Sequence, residues 1–219
     1  MHPRDCPSWE YKYHPHYRAL AIRCEAILNS LGRGEIQIDR TLGDTRQLHE
    51  QMFGGLTPDL CPYYAGHYRG ENYKCLRHNQ VQVRGDSRVG VAANRVAPEL
   101  ANFSSHIVSR GIKATETAFN ISDTNLPPGE KLYYLVKFAC RALVEFLRIH
   151  PYVNGNGHVG RLIVWLLLER FGYWPKAWPL DGHPPYDALL SRFRDGDESP
   201  LEAFVLSAII GPETGTVGP

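Results

Sequence analysis

Apolar residues return every three or four positions along much of this chain, and strict alternation shows in only one place. Leu132, Leu135, Val136, Ala139, Leu143, Phe146 and Leu147 predict a helix over 129–149, opened by Pro127-Pro128 behind a Ser/Thr/Asn-rich loop. A second strong helix is expected over 157–171, closed by Gly172. Leu20, Ile22, Ala26, Ile27 and Leu31 mark a helix over 17–31, stopped by Gly32 and Gly34. Weaker patterns suggest helices over 45–53, 98–109 (opened by Pro98), 185–194 and 199–210. The alternating stretches Tyr73-Lys74-Cys75-Leu76 and Gln80-Val81-Gln82-Val83-Arg84, about Arg77-His78-Asn79, read as an exposed β-hairpin. The expectation is an all-α fold with one hairpin: a helical extension over 1–40, a main domain over 41–210, and a disordered tail over 211–219.

Composition narrows the function classes. At 219 residues and 43% hydrophobic, the chain can build a real core. Its 24 basic and 23 acidic side chains balance, so no global field recruits nucleic acid or an anionic membrane. The longest apolar run, 162–168, is far too short to cross a bilayer. The start of the chain carries no apolar leader pattern, so the expected place of action is the cytoplasm, or a host cytoplasm reached as a secreted effector. The five cysteines include no C-x-x-C pair and are expected as reduced thiols packed inside.

Candidate chemistry is concentrated in His150-Pro-Tyr-Val-Asn-Gly-Asn-Gly-His-Val-Gly-Arg161, at the junction of the two strongest helices. Gly155 and Gly157 let backbone approach a ligand closely, and a helix N-terminus adds unpaired N–H groups that suit an anion. Arg161 can reach a phosphate with a fork of donors, and His150 is a residue type suited to accept a proton from a hydroxyl. By residues alone, a sharp interhelical turn with a capping histidine remains the alternative.

This segment resembles the signature of the Fic family, His-x-Phe-x-(Asp/Glu)-Gly-Asn-Gly-Arg-x-x-Arg. His150, Tyr152 (for the aromatic), Gly155-Asn156-Gly157 and Arg161 carry the match. The resemblance extends over roughly 45–175, including Tyr64–Asn72 and Val89–Leu100. It implies a helical core with a β-hairpin flap, and transfer of AMP from ATP to a Ser, Thr or Tyr hydroxyl of a target protein. His150 would be the general base. Asn154, Gly155, Asn156, Gly157, His158 and Arg161 would face the nucleotide, Asn156 donating through its side chain. Tyr73, Lys74, Cys75, Leu76, Gln80, Val81, Gln82 and Val83 would form the flap that holds the target. Mg²⁺ or Mn²⁺ would accompany the ATP.

Two departures stand out. Asn154 replaces the acidic residue that holds Mg²⁺, leaving a neutral amide oxygen. His158 replaces the first arginine, which at about 1.5–3 kcal/mol per charge-assisted contact weakens ATP binding roughly tenfold or more. A different phosphate-containing donor, or a silent binding module, are therefore the alternatives. No Ser/Thr-x-x-x-Glu inhibitory helix is found, so any inhibition would come from a separate protein. Trp174 and Trp178 are read as packing a turn, His183-Pro184-Pro185 as a helix-start turn, and Trp9–Tyr17 as a packing or partner segment. Arg69 and Asn72 precede the flap with no assigned place, and Lys74, Arg77 and Arg84 are read as solvated charges.

Overall fold

The computed structural model describes residues 6–81, 83, 86–121, 127–182 and 185–211. Among these the helices are α1 (Ala19–Gly32), α2 (Ile38–Gly43), α3 (Arg46–Phe53), α4 (Ala93–Asn102), α5 (Arg110–Ile121), α6 (Pro128–Ile149), α7 (Asn156–Arg170), α8 (Asp187–Arg194) and α9 (Ser199–Ile210). The chain is mostly helical, as its periodicity predicts.

The centre is α6 packed on α7. Pro128 at the first turn of α6 has no N–H to leave unpaired, and the apolar stripe from Leu135 to Ile149 is buried. Helix α7 is enclosed on nearly every side from Asn156 to Leu168, which is why it reads as a continuous apolar run. Gly160 sets the closeness of the pair: a Cβ there would meet Leu143 Cδ1 at 2.9 Å and Leu147 Cδ2 at 3.3 Å. Around this pair lie α1 and α2 against α7, and α4, α5, α8 and α9 against α6.

Two expectations change. Pro98 does not open its helix; α4 begins at Ala93 and carries Pro98 inside. The helix then continues through a π-helical segment, Phe103–Ser109, into α5. Serine hydroxyls support the widened turns, with Ser109 Oγ donating to Ser104 O and Ser105 Oγ to Ala101 O, both at 2.8 Å.

The expected hairpin is not formed by the described residues. Tyr73–Asn79 is a run of turns: Leu76 N and Arg77 N both donate to Tyr73 O, and Asn79 N donates to Leu76 O. Alternation misled here because Cys75 and Leu76, adjacent in sequence, are both buried, which a two-faced strand does not allow. What pairing exists is one antiparallel bridge, Val83 to Asp86. Gln82 and Arg84 lie outside the described residues, as do His183, Pro184 and the tail from 212. The cysteine expectation is also corrected. Cys6 and Cys75 form a disulfide, while Cys24, Cys61 and Cys140 are free and buried.

Candidate functional site

Helix α6 ends at His150, whose backbone lies in the left-handed region at φ 54°. This is a strained conformation for a residue with a side chain. It is held by Arg69, almost wholly buried. Arg69 donates from Nε to His150 O at 2.8 Å, from Nη2 to Ile149 O and Val91 O, and from Nη1 to Asn79 O. One guanidinium thus gathers the carbonyl end of α6 and both ends of the 79–91 segment. No carboxylate partners it in these bonds, and desolvation pulls its pKa down to about 10.

The His150 ring places Nδ1 3.3 Å from Leu147 O. A carbonyl can only accept, so Nδ1 carries the proton and Nε2 keeps a lone pair. Burial, with smaller contributions from Arg69 and Arg194, lowers the pKa to about 4. At neutral pH the imidazole is uncharged and able to take a proton.

Between His150 and α7 the loop is braced from inside. Asn156 spans it, its Oδ1 accepting from Tyr152 N and its Nδ2 donating to Tyr152 O, each at 2.9 Å. Tyr152 finds the hydroxyl partner its substitution for phenylalanine requires, Thr45 Oγ1 at 2.7 Å. His49 stacks flat on Tyr152 with centroids 3.7 Å apart. Its Nδ1 accepts from Gly66 N, so Nε2–H donates to Asn154 O at 3.0 Å. Complete burial lowers the His49 pKa to about 3. Gly155, at φ 79°, precedes α7; a Cβ there would strike the Phe53 ring at 2.4 Å. No side chain caps α7, so its first N–H groups are available to an anion.

A cavity of about 400 Å³ opens here, bounded by Val83, Asp86, Val89, Leu147, His150, Gly157, Tyr186, Asp187, Leu190, Ser191 and Arg194. Larger clefts of 630–660 Å³ elsewhere contain no motif residue, so chemistry and not size marks this one. Of the motif residues, only His150 and Gly157 line it.

The others face inward. Asn154 Nδ2 donates to Trp9 O at 2.9 Å, and its Oδ1 accepts from Gly155 N. His158 is buried against Tyr11 and Phe53, with the Tyr11 hydroxyl 3.5 Å from its Nε2. Desolvation and then Arg161 lower its pKa to about 3. Arg161 donates from Nε and Nη2 to Leu180 O, and from Nη1 to the Tyr186 hydroxyl at 3.3 Å. Trp178 packs the same turn, stacked on Tyr186, its indole N–H on Arg161 O.

Sequence reasoning missed Arg69, His49, Asp86, Tyr186 and Arg194 as parts of this site. None lies within the motif, and each acts by contact across the fold. The Trp9–Tyr11 segment, read as packing, does pack, directly on the motif. A metal finds little here: the Asn154 oxygen is already committed, and among the described residues no cluster of three His, Cys, Asp or Glu side chains could hold one. Among the same residues, no helix is long and apolar enough to cross a membrane.

A sequence description of the Fic/DOC family matches residues 39–168. The chain is 36% identical over 70 residues to the protein adenylyltransferase Fic of Drosophila virilis, covering 32% of this chain and 14% of that protein. The same figures hold for the Drosophila melanogaster protein. With the Drosophila yakuba protein the likeness is 27% over 169 residues, covering 77% of this chain and 28% of the relative. The chain therefore spans well under a third of the length of these relatives.

Proposed function

Because this chain belongs to the Fic/DOC family, we propose that it transfers a nucleoside monophosphate, AMP from ATP in the family's usual reaction, to a hydroxyl of a target protein. The observation that carries this reading is a neutral imidazole and an uncapped helix N-terminus sharing one cavity, at His150 and Gly157.

The step balances as a displacement at phosphorus. The target's Ser, Thr or Tyr oxygen attacks the α-phosphorus, and its proton passes to His150 Nε2. The new P–O bond forms as the bond to the leaving pyrophosphate breaks, and pyrophosphate departs with that electron pair. The first N–H groups of α7 stabilise charge on the phosphate oxygens. Arg161, one turn further in, completes the positive end once its hold on Leu180 and Tyr186 is exchanged for phosphate. Mg²⁺ or Mn²⁺ would be carried by the donor's phosphates, since the side chains at the loop do not fit a protein-held ion, and no step is routed through it. A target protein and a separate inhibitory protein remain the proposed partners.

A second reading, a donor other than ATP, is favoured by one observation. The two motif positions that depart from the family, Asn154 and His158, both turn away from the cavity.

The test is incubation with α-labelled ATP and Mg²⁺, with target lysate, beside His150→Ala. Label on protein that the variant loses by at least a hundredfold is the expected result. Equal label in the variant would remove the general-base role. No label from any nucleoside triphosphate would leave a silent binding module.

A further inference from the structure

The same cavity contains a cation that the transfer step leaves unused. Arg194 ends α8 with its side chain 10% exposed, and it lines the cavity that holds His150. Its Nη1 donates to Asp86 Oδ2 at 2.9 Å, while its Nε is buried with no hydrogen-bond partner. An unpaired buried donor is costly, so its presence in a cavity calls for an acceptor supplied from outside.

Asp86 is not free to play the complementary part. Its Oδ1 already accepts from Arg88 N and Arg88 Nε, and its Oδ2 from Arg88 Nη2 and Arg194 Nη1. With two donors on each oxygen the carboxylate is saturated. This corner of the cavity therefore offers donors to a ligand and no matching acceptor from Asp86.

Position along α8 says which part of a donor nucleotide reaches it. The helix starts after Tyr186, whose hydroxyl meets Arg161 at the phosphate end. Arg194 lies eight residues on, about 12 Å further at 1.5 Å per residue. Between them the walls are apolar, with Val83, Val89, Leu147 and Leu190, which suits a flat ring.

We propose that Arg194 reads the base of the donor nucleotide and selects an acceptor edge, so that guanine is preferred to adenine. An arginine fork matches the O6 and N7 acceptors of guanine, whereas adenine presents an N6 amino donor at the same place. The inference rests on the nucleotidyl-transfer reading and names its donor class.

The experiment is calorimetric binding of GTP and ATP to the full chain, wild type against Arg194→Gln and Arg194→Lys, alongside transfer from each α-labelled nucleotide. Wild type is expected to bind GTP about tenfold more tightly than ATP. Gln offers the acceptor and donor pair that suits adenine, so R194Q is expected to invert the order, weakening GTP and tightening ATP. R194K is expected to keep the preference for GTP at reduced affinity. A misfolded variant would lose both nucleotides, and the R194K arm then decides on its own. ATP bound as tightly as GTP by wild type overturns the proposal, and so does equal weakening of both in R194Q with GTP preference absent in R194K. Base selection without His150-dependent label would sink the transfer reading and leave this one standing.

Discussion

Three histidines around the motif lose proton affinity through burial: His49 and His158 to about 3 and His150 to about 4, from an ordinary value of 6.5. Each binds a proton more readily in the unfolded chain than in the folded one. Their contribution to stability is therefore complete above pH 6.5 and is lost as pH falls towards 4 and 3. The expected slope is about 1.4 kcal/mol per pH unit for each histidine. Urea unfolding between pH 7 and 4.5 should show a steep fall, shallower in His49→Gln; a flat profile would mean that these rings are hydrated. The acid limb of transfer should correspondingly lie near pH 4 and not at 6.5. At this scale the motif residues were legible because their types and spacing are local. His49 and Arg69 were not, because nothing beside them in sequence distinguishes a buried ring or guanidinium from a surface one. Only the fold brings His49 to Asn154 and Arg69 to His150.

Helices with a full apolar stripe could be read directly. The expected ranges 129–149, 157–171 and 199–210 nearly coincide with α6, α7 and α9. Short α2 and the polar α5 offered no such stripe, and Pro98 looked like a start because its effect inside a helix depends on neighbours that support the backbone. The hairpin failed for a related reason, since alternation cannot separate a strand from successive turns. Contact between α6 and α7 provides a test of element packing. Gly160→Ala puts a methyl 2.9 Å from Leu143 Cδ1, which should cost about 1–3 kcal/mol. Thermal unfolding measures it, and Leu143→Val should recover part of the loss in the double variant. No recovery would place the strain elsewhere.

Across the whole molecule, the 6–11 segment is tied down twice: by the Cys6–Cys75 disulfide, which closes a loop of sequence separation 69, and by Trp9 and Tyr11 on the motif. Loop closure of that length is worth about 2–4 kcal/mol in the folded state's favour. Cys6→Ser should lower urea stability by that amount, and dithiothreitol should lower wild type to match it. An unchanged midpoint under reduction would mean that the noncovalent contacts alone hold the segment. This tie was hidden in the sequence, where two cysteines far apart look no different from three that stay free. Stability of the whole and usefulness of one position pull apart at His150. A left-handed backbone costs a residue with a Cβ about 1–2 kcal/mol, which glycine avoids. Left to thermostability alone, position 150 would drift to glycine, and the chain would become a sturdier protein with no base; that it carries histidine instead is a standing charge against its own robustness.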